Sequence, residues 1–318
     1  MAPGGFLLGR ALEQRLPRVI EKRYRSLHFE NGDIVPTMSD LETGAAEVLA
    51  DLVDGVGDAK IMAENAVDLP IADISASEDK YPIWMIGSAI AVSLSQEQAA
   101  EKSSQTFNQI VDRKLSMARR AIAERSNKIA AYGSVNLNQR GFVNNANVTV
   151  NNSSFDPYDA GTSPDALKEF FIDEFKAAHK ASNNVEFPET VIVSDDLWFK
   201  LINTRMTDGS QSVYEHLMRQ TQVNESLDFI RSIMMAPEVR SDNLTANGTG
   251  NTDKDRIVMY PMDPEVVERH NRPAMELAPD DYQQVKGVLK IRPVYQKVTP
   301  TIVNHPSAMR YIDVAKAS

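Results

Sequence analysis

The strongest candidate for chemistry in this 318-residue sequence is the run Val191-Ile192-Val193-Ser194-Asp195-Asp196. Carboxylates at the end of a buried strand can hold a divalent metal at the edge of an α/β sheet. The same residues have a simpler reading. Ser194 caps a following helix, and Asp195 and Asp196 favour the positive end of its dipole. The other chemical motifs fail. Gly55-x-Gly57 is followed by Asp58 and a strand rather than by a third glycine and a helix, so it is no dinucleotide fingerprint. No glycine-rich loop ends in Gly-Lys-Ser/Thr. The five histidines, His28, His179, His216, His270 and His305, lie far apart, without a metal-ligand partner at helical spacing. No catalytic residue, metal ligand or cofactor site is therefore expected. A cytosolic metal-dependent α/β enzyme using Asp195 and Asp196 stands as the alternative.

The elements around these residues point away from catalysis. Phe107, Ile110, Val111, Leu115, Ala118, Ile122, Ile129 and Tyr132 recur at three- and four-residue spacing. The spacing predicts one helix from Ser95 to Tyr132, opened by a Ser95–Gln98 capping box and stopped by Gly133. Such a helix is about 57 Å long, whereas a compact globule of this chain length is only about 50 Å across. A chain built on that spine is flat or elongated, a shape made to tile with copies of itself. The 3-4 alternation of Leu115, Ala118, Ile122, Arg125, Ile129 and Tyr132 also fits a coiled coil, but it is short and puts Arg125 on the seam.

Composition sets the remaining bounds. Hydrophobic content of 42% and charged content of 25% are those of a folded chain. No apolar run approaches the roughly 18 residues of a membrane span, and no secretory signal is apparent. Cysteine is absent, so no disulfide or thiolate metal site can form. The net charge of −10 argues against general nucleic-acid binding. The one basic concentration is Arg10, Arg15, Arg18, Lys22, Arg23 and Arg25, against Glu13 and Glu21. It flanks an apolar stripe of Leu8, Leu12, Leu16, Val19 and Ile20, which reads as an amphipathic segment that docks on a neighbouring chain.

Residues 1–45 read as an arm, joined to the rest by a polar, turn-rich connection from Glu30 to Asp40. Ala46–Val53 and Lys60–Ala66, around Asp54–Asp58, read as a hairpin. Further strands at Ile71–Ile74 and Ile83–Ser93 are separated by polar Ser75–Lys80. Too few apolar residues lie between 46 and 93 to bury both faces, which predicts a two-stranded loop projecting from the body. After the spine, a second compact unit begins with Ser163 as a cap and Pro164 in the first turn of a helix burying Leu167, Phe171, Phe175 and Ala178. Thr190–Val193 is a buried strand leading into helix Asp195–Asn203; Ser212–Thr221 is helical and Leu227–Ala236 a strand. Arg240–Arg256 reads as an exposed loop. Ile257–Tyr260, Val285–Tyr295 and Val298–Asn304 make the end of the chain β-rich.

This order of parts resembles the major capsid proteins of tailed bacteriophages, the HK-97-like fold. Local wording carries the resemblance from Asp68 to Asp313: Asp68-Leu69-Pro70-Ile71-Ala72-Asp73 before the spine; Ala118, Ala121 and Asn127 leading to Tyr132-Gly133, then Gly141-Phe142-Val143-Asn144; Met259-Tyr260; and Asn304-His305-Pro306-Ser307-Ala308-Met309-Arg310-Tyr311. The resemblance implies an α+β fold with an N-terminal arm (1–45), an extended β-hairpin loop (46–93) lying over a neighbouring subunit, a peripheral domain with the spine (94–160 and 257–318) and an axial α/β domain (161–256). It implies a structural protein, not an enzyme, forming pentamers and hexamers of an icosahedral virion head around double-stranded DNA held without sequence-specific binding. The subunit would fold in the host cytoplasm. Portal and separate scaffolding or decoration proteins are the other partners it implies. An encapsulin-like compartment shell is the variant of the same reading. The long scaffolding segment that precedes the loop in some relatives has only a short arm in its place here. No motif identifies a Lys–Asn cross-link through Lys60 or Lys80. The acidic charge agrees with a shell that must release its genome.

Overall fold

The computed structural model describes residues 24–42, 44–56, 73–93, 95, 104–134, 137, 139–209, 211–223, 230–247, 253–273, 275–276, 283–285 and 289–317. The helices are α1 (Ser104–Tyr132), α2 (Pro164–Ala181), α3 (Asp195–Asn203), α4 (Val213–Val223) and α5 (Ser241–Ala246). The strands are β1 (Thr37–Met38), β2 (Glu47–Val56), β3 (Asp73–Pro82), β4 (Trp84–Ser93), β5 (Gly133–Ser134), β6 (Gln139–Arg140), β7 (Thr149–Asn152), β8 (Thr190–Val193), β9 (Ser232–Met235), β10 (Lys254–Tyr260), β11 (Val267–His270), β12 (Met275–Glu276), β13 (Gln283–Val285), β14 (Leu289–Val298), β15 (Ile302–Val303) and β16 (Arg310–Ala315).

A five-stranded sheet in the order β7-β16-β10-β8-β9 forms the centre. Its buried strands read as near-continuous apolar runs because both faces are covered. Alternate residues separate onto two cores. Ile192, Val258, Tyr260 and Tyr311 face the end of α1 (Ala130, Ala131, Tyr132) together with Phe29, Ile34, Phe142 and Val267. Val191, Val193, Ile257, Met259, Ile312 and Val314 face α2, α3 and α4 through Leu167, Phe171, Leu197, Leu201 and Leu217. Ser163 and Ser194 cap α2 and α3 by accepting the N–H groups of Ala166 and Leu197. Both caps, and all four residues expected on the buried face of α2, stand where the sequence placed them.

The spine helix α1 lies on a second sheet, in which β14 pairs with β4 on one edge and with β12 and β13 on the other. Ala118 and Ile122 pack against Ile90 and Val294 there. The 29 described residues of α1 span about 44 Å. Residues 96–103, and with them Gln98 of the expected capping box, lie outside the described residues. The helix stops at Tyr132 as expected. Gly133 adopts φ +72°, and a Cβ on it would stand 2.2 Å from the Gln139 carbonyl oxygen. Gly141 faces it, with 2.6 Å available to the Ala131 carbonyl. Only glycine fits at either position.

Three expectations need correction. The partner of β2 is β3, in register from Glu47↔Pro82 to Val56↔Asp73, so polar Ser75–Lys80 lies within a strand and not between two. Asp54, Gly55 and Val56 are strand rather than turn, and Lys60–Ala66 falls outside the described residues. The connection from Glu30 to Asp40 does not hang free: Leu27, Phe29, Ile34 and Val35 are buried, and β1 adds to β11. Two apolar residues inside it and two just before it are enough to seal it against the body of the chain. Finally, Arg240–Arg256 is no open loop. It contains α5, with Ser241 and Leu244 buried, and β10 already runs from Lys254 because it occupies the middle of the central sheet.

Candidate functional site

The paired carboxylates resolve into a structural ion pair. Asp195 and Asp196, in the first turn of α3, lie 3.0 and 3.2 Å from the guanidinium nitrogens of Arg240. Burial disfavours that cation, but Asp195, Asp196, Asp255 and Asp242 outweigh it and hold Arg240 above its usual pKa. Burial also raises the pKa of nearby Asp255, which accepts the Ser241 N–H at 2.9 Å. Among the described residues no group of three or more His, Asp or Glu side chains is placed to hold a metal. Helix capping and ion pairing account for Asp195, Asp196 and Arg240, with Asp195 Oδ1 left buried without a hydrogen-bond partner among the described residues.

The feature left without an internal function is the ribbon β2–β3. Directly opposed residues share a face, so the register sorts its side chains into two sets. One set, Val48, Leu52 and Tyr81, is half-buried at the base, where Leu52, Asp79 and Tyr81 line a cleft of about 290 Å³ with Arg140, Thr301 and Asn304. The other set faces solvent. Leu49, Val53 and Ile74 are 56%, 68% and 72% exposed, and Asp51 stands directly across from Glu78. A two-stranded ribbon covered only at the base of one face is marginal by itself. It has the form of an element that is completed by another surface.

A buried polar knot fixes the start of the described chain on the spine. Asn127 of α1 accepts the N–H groups of Phe29 (3.1 Å) and Glu30 (3.3 Å) and donates to Glu238 (3.0 Å). The Tyr132 hydroxyl donates to the Glu238 carbonyl at 2.9 Å, and burial drives its pKa up. Arg269, fully buried, reaches the Phe29 carbonyl (3.1 Å), the Glu30 carboxylate (3.0 Å) and the Ser126 hydroxyl. Burial lowers its pKa and Glu30 opposes that shift. The result is a fixed exit: Arg25 pairs with Glu238 at 3.2 Å, and Tyr24 sits against Met117 and Arg120 on α1. The docking residues expected from sequence, Leu8, Leu12, Leu16, Val19 and Ile20, precede this exit and lie outside the described residues. Nothing in hydropathy marks Glu30, Arg269 or Glu238 as partners. Asn127 was legible only as part of a local resemblance, and Tyr132 as an apolar position of the spine.

The fold has known counterparts. The structure of "The capsid of Myoviridae Phage XM1" superimposes with a TM-score of 0.76 at 16% identity, covering 98% of this chain and 99% of that one. A structure from Mycobacterium phage Bobi gives 0.60 at 12% identity, with 98% of both chains covered. The "Capsid of empty GTA particle computed with C5 symmetry" gives 0.59 at 12% identity, with 97% of both covered. At these identities the likeness establishes the mixed α+β, HK-97-like fold. No curated protein sequence matches this chain. A family model described as "Major capsid protein" matches residues 57–314, which take in the ribbon's second strand, the spine, both sheets and the ion-paired cluster. With the carboxylates committed to an arginine and the ribbon left open, the sequence family and the geometry agree: this chain belongs to the major capsid protein family, as a structural protein of phage-like virion heads and not an enzyme.

Proposed function

We propose that this chain assembles as pentamers and hexamers into an icosahedral head that encloses double-stranded DNA. The observation that carries the reading is the ribbon, which keeps 10-residue strands in register while leaving Leu49, Val53 and Ile74 in solvent. Burial of such side chains against another subunit would contribute about 1.5–3 kcal/mol each, repeated at every contact of a closed lattice. In this reading residues 46–93 lie over a neighbouring subunit. Residues 94–160 with 257–318 form the peripheral part and 161–256 face the symmetry axis, although strands from all of these segments share the central sheet. Residues 1–45 carry an amphipathic stretch whose Leu8, Leu12, Leu16, Val19 and Ile20 dock on a neighbour. Portal and scaffolding or decoration proteins complete the particle, subunits fold in the host cytoplasm, and the net charge of −10 keeps the packaged DNA releasable.

Electron microscopy of the purified protein tests this directly. Closed shells with five- and six-fold capsomers are expected. A monodisperse monomer at every concentration and ionic strength would remove the reading.

A further inference from the structure

We propose that His270 is a proton-operated tether at the root of the ribbon β2–β3. As an imidazolium it holds Asp40 and Glu268 together and fixes how the chain enters β2; as a neutral ring it lets Asp40 go. The device belongs to the single subunit and goes beyond the assembly reading above.

The connection that feeds the ribbon lies along β11, with Thr37 paired to Arg269 and Met38 to His270. These two neighbouring residues of β11 hold the connection at its two ends. Arg269 grips the start, at Glu30, 3.0 Å away. His270 grips the end, where its Nδ1 stands 2.7 Å from Asp40 Oδ1. The other ring nitrogen, Nε2, lies 3.5 Å from Glu268 Oε2. The two carboxylates thus sit at opposite nitrogens of one ring and do not converge on a cation. The backbone of His270 is locked in place: its N–H donates to Thr299 Oγ1 and its carbonyl accepts the Thr299 N–H, both at 3.0 Å. Movement at this site therefore falls on Asp40.

Proton counting decides when it moves. An imidazolium has two N–H groups, one for each carboxylate. A neutral imidazole has one, and its bare nitrogen turns a lone pair toward a carboxylate oxygen. Burial settles which contact is lost. The Glu268 side chain is 19% exposed, and its Oε1 accepts from Asn304 Nδ2 at 3.3 Å. Asp40 is 56% exposed and finds water instead. The single proton of the neutral ring stays with Glu268, and Asp40 is released.

The other charged groups at the root keep their state. Burial, Asp79 and Glu268 together hold the Tyr81 hydroxyl of β3 above its usual pKa. Lys297 of β14 donates to the Ala45 carbonyl at 3.0 Å. Of the side-chain types present, histidine is the one that changes charge between about pH 5 and about pH 8. With Asp40 gone, neutral bonds remain: the Asn271 N–H to the Met38 carbonyl at 2.8 Å, Ser39 Oγ to Asn271 Oδ1 at 3.0 Å, and the Ile83 N–H to the Ala46 carbonyl at 2.9 Å. Such bonds are weaker than charge-assisted ones. The start of the connection stays fixed by an arginine that remains charged throughout, while its end, and the ribbon beyond, gains freedom as pH rises.

Hydrogen exchange on full-length, unassembled subunits tests this, read as protection after correction for the intrinsic effect of pH. The amides of Asn271 and Ile83 report the root, and those of Val258 and Ile312 in the central sheet serve as reference. In the wild type, root protection should be about tenfold or more higher at pH ~5 than at pH ~8, the weight of one charge-assisted hydrogen bond, with the reference unchanged. His270→Gln should give the low value at both. Asp40→Asn should give equal protection at both, because a carboxamide accepts from the charged ring and donates to the bare nitrogen of the neutral one. Asp40 is exposed, so this variant decides alone if His270→Gln does not fold. Wild-type root protection that is the same at both pH values overturns the tether. So does a pH dependence that survives Asp40→Asn, since it would belong to another group.

Discussion

The central sheet and the ribbon β2–β3 are both hydrogen-bonded ladders, and they differ in where their side chains go. In the sheet, every second residue of β8, β10 and β16 enters one core and the rest enter the other, so the subunit itself supplies all the packing. In the ribbon, one face is half-covered at its base and the other is covered by nothing among the described residues. The sheet is specified by folding alone. The ribbon holds an equally exact register over ten paired residues, yet keeps its outward apolar side chains uncommitted. Substitutions should therefore separate cleanly: damage to the sheet costs the subunit, and damage to the ribbon costs the assembly.

The sharpest break in that contrast is Arg256→Leu. Arg256 makes a buried two-pronged pair with Asp313 at 2.7 and 2.9 Å, between β10 and β16. Removing one partner strands a buried carboxylate and costs about 3–5 kcal/mol, read as a large drop in the urea midpoint and loss of soluble subunit. Next is Ile122→Ala, which opens the interface of α1 with β4 and β14 and should cost about 2–4 kcal/mol. Asp195→Asn with Asp196→Asn should cost about 1 kcal/mol through the helix terminus and Arg240, leaving assembly intact.

Asp255→Asn sharpens the comparison through pH. Burial raises the pKa of Asp255, so the native state keeps its proton to higher pH than the unfolded chain does. Its contribution to stability is full below the unfolded pKa near 3.9 and is lost as pH rises through the native value. The asparagine variant should lose that slope while still accepting the Ser241 N–H, and denaturation series from pH 3 to 7 would read it. The smallest effect on the subunit is expected from Leu49→Asp with Val53→Asp: within about 0.5 kcal/mol in stability, but no shells by electron microscopy. A ribbon variant that unfolds the subunit would erase the distinction between the two regions.

The same contrast explains what could be read from the residues alone. Ser163, Ser194, the face of α2 and the stop at Gly133 were legible because each rests on local periodicity or local chemistry. Strand β3 was not, since Asp73–Pro82 is solvent-exposed for most of its length and has no alternation to detect. Its evidence is a backbone ladder to β2. Arg269 and Glu30 were invisible for the converse reason: charges buried in a core carry no hydropathic signature until their partners are known.

The strand order of the central sheet has a consequence for synthesis. β16 lies between β7 and β10, so the sheet cannot close until residues 310–315 have left the ribosome. The ribbon ends at Pro82, some 230 residues earlier. At about 5–20 residues per second, each nascent chain carries its ribbon outside the ribosome for on the order of ten to fifty seconds before its core can form. On a polysome, many such ribbons are crowded together. The facing carboxylates of Asp51 and Glu78 give every ribbon the same charge during that interval, which discourages ribbon-to-ribbon pairing.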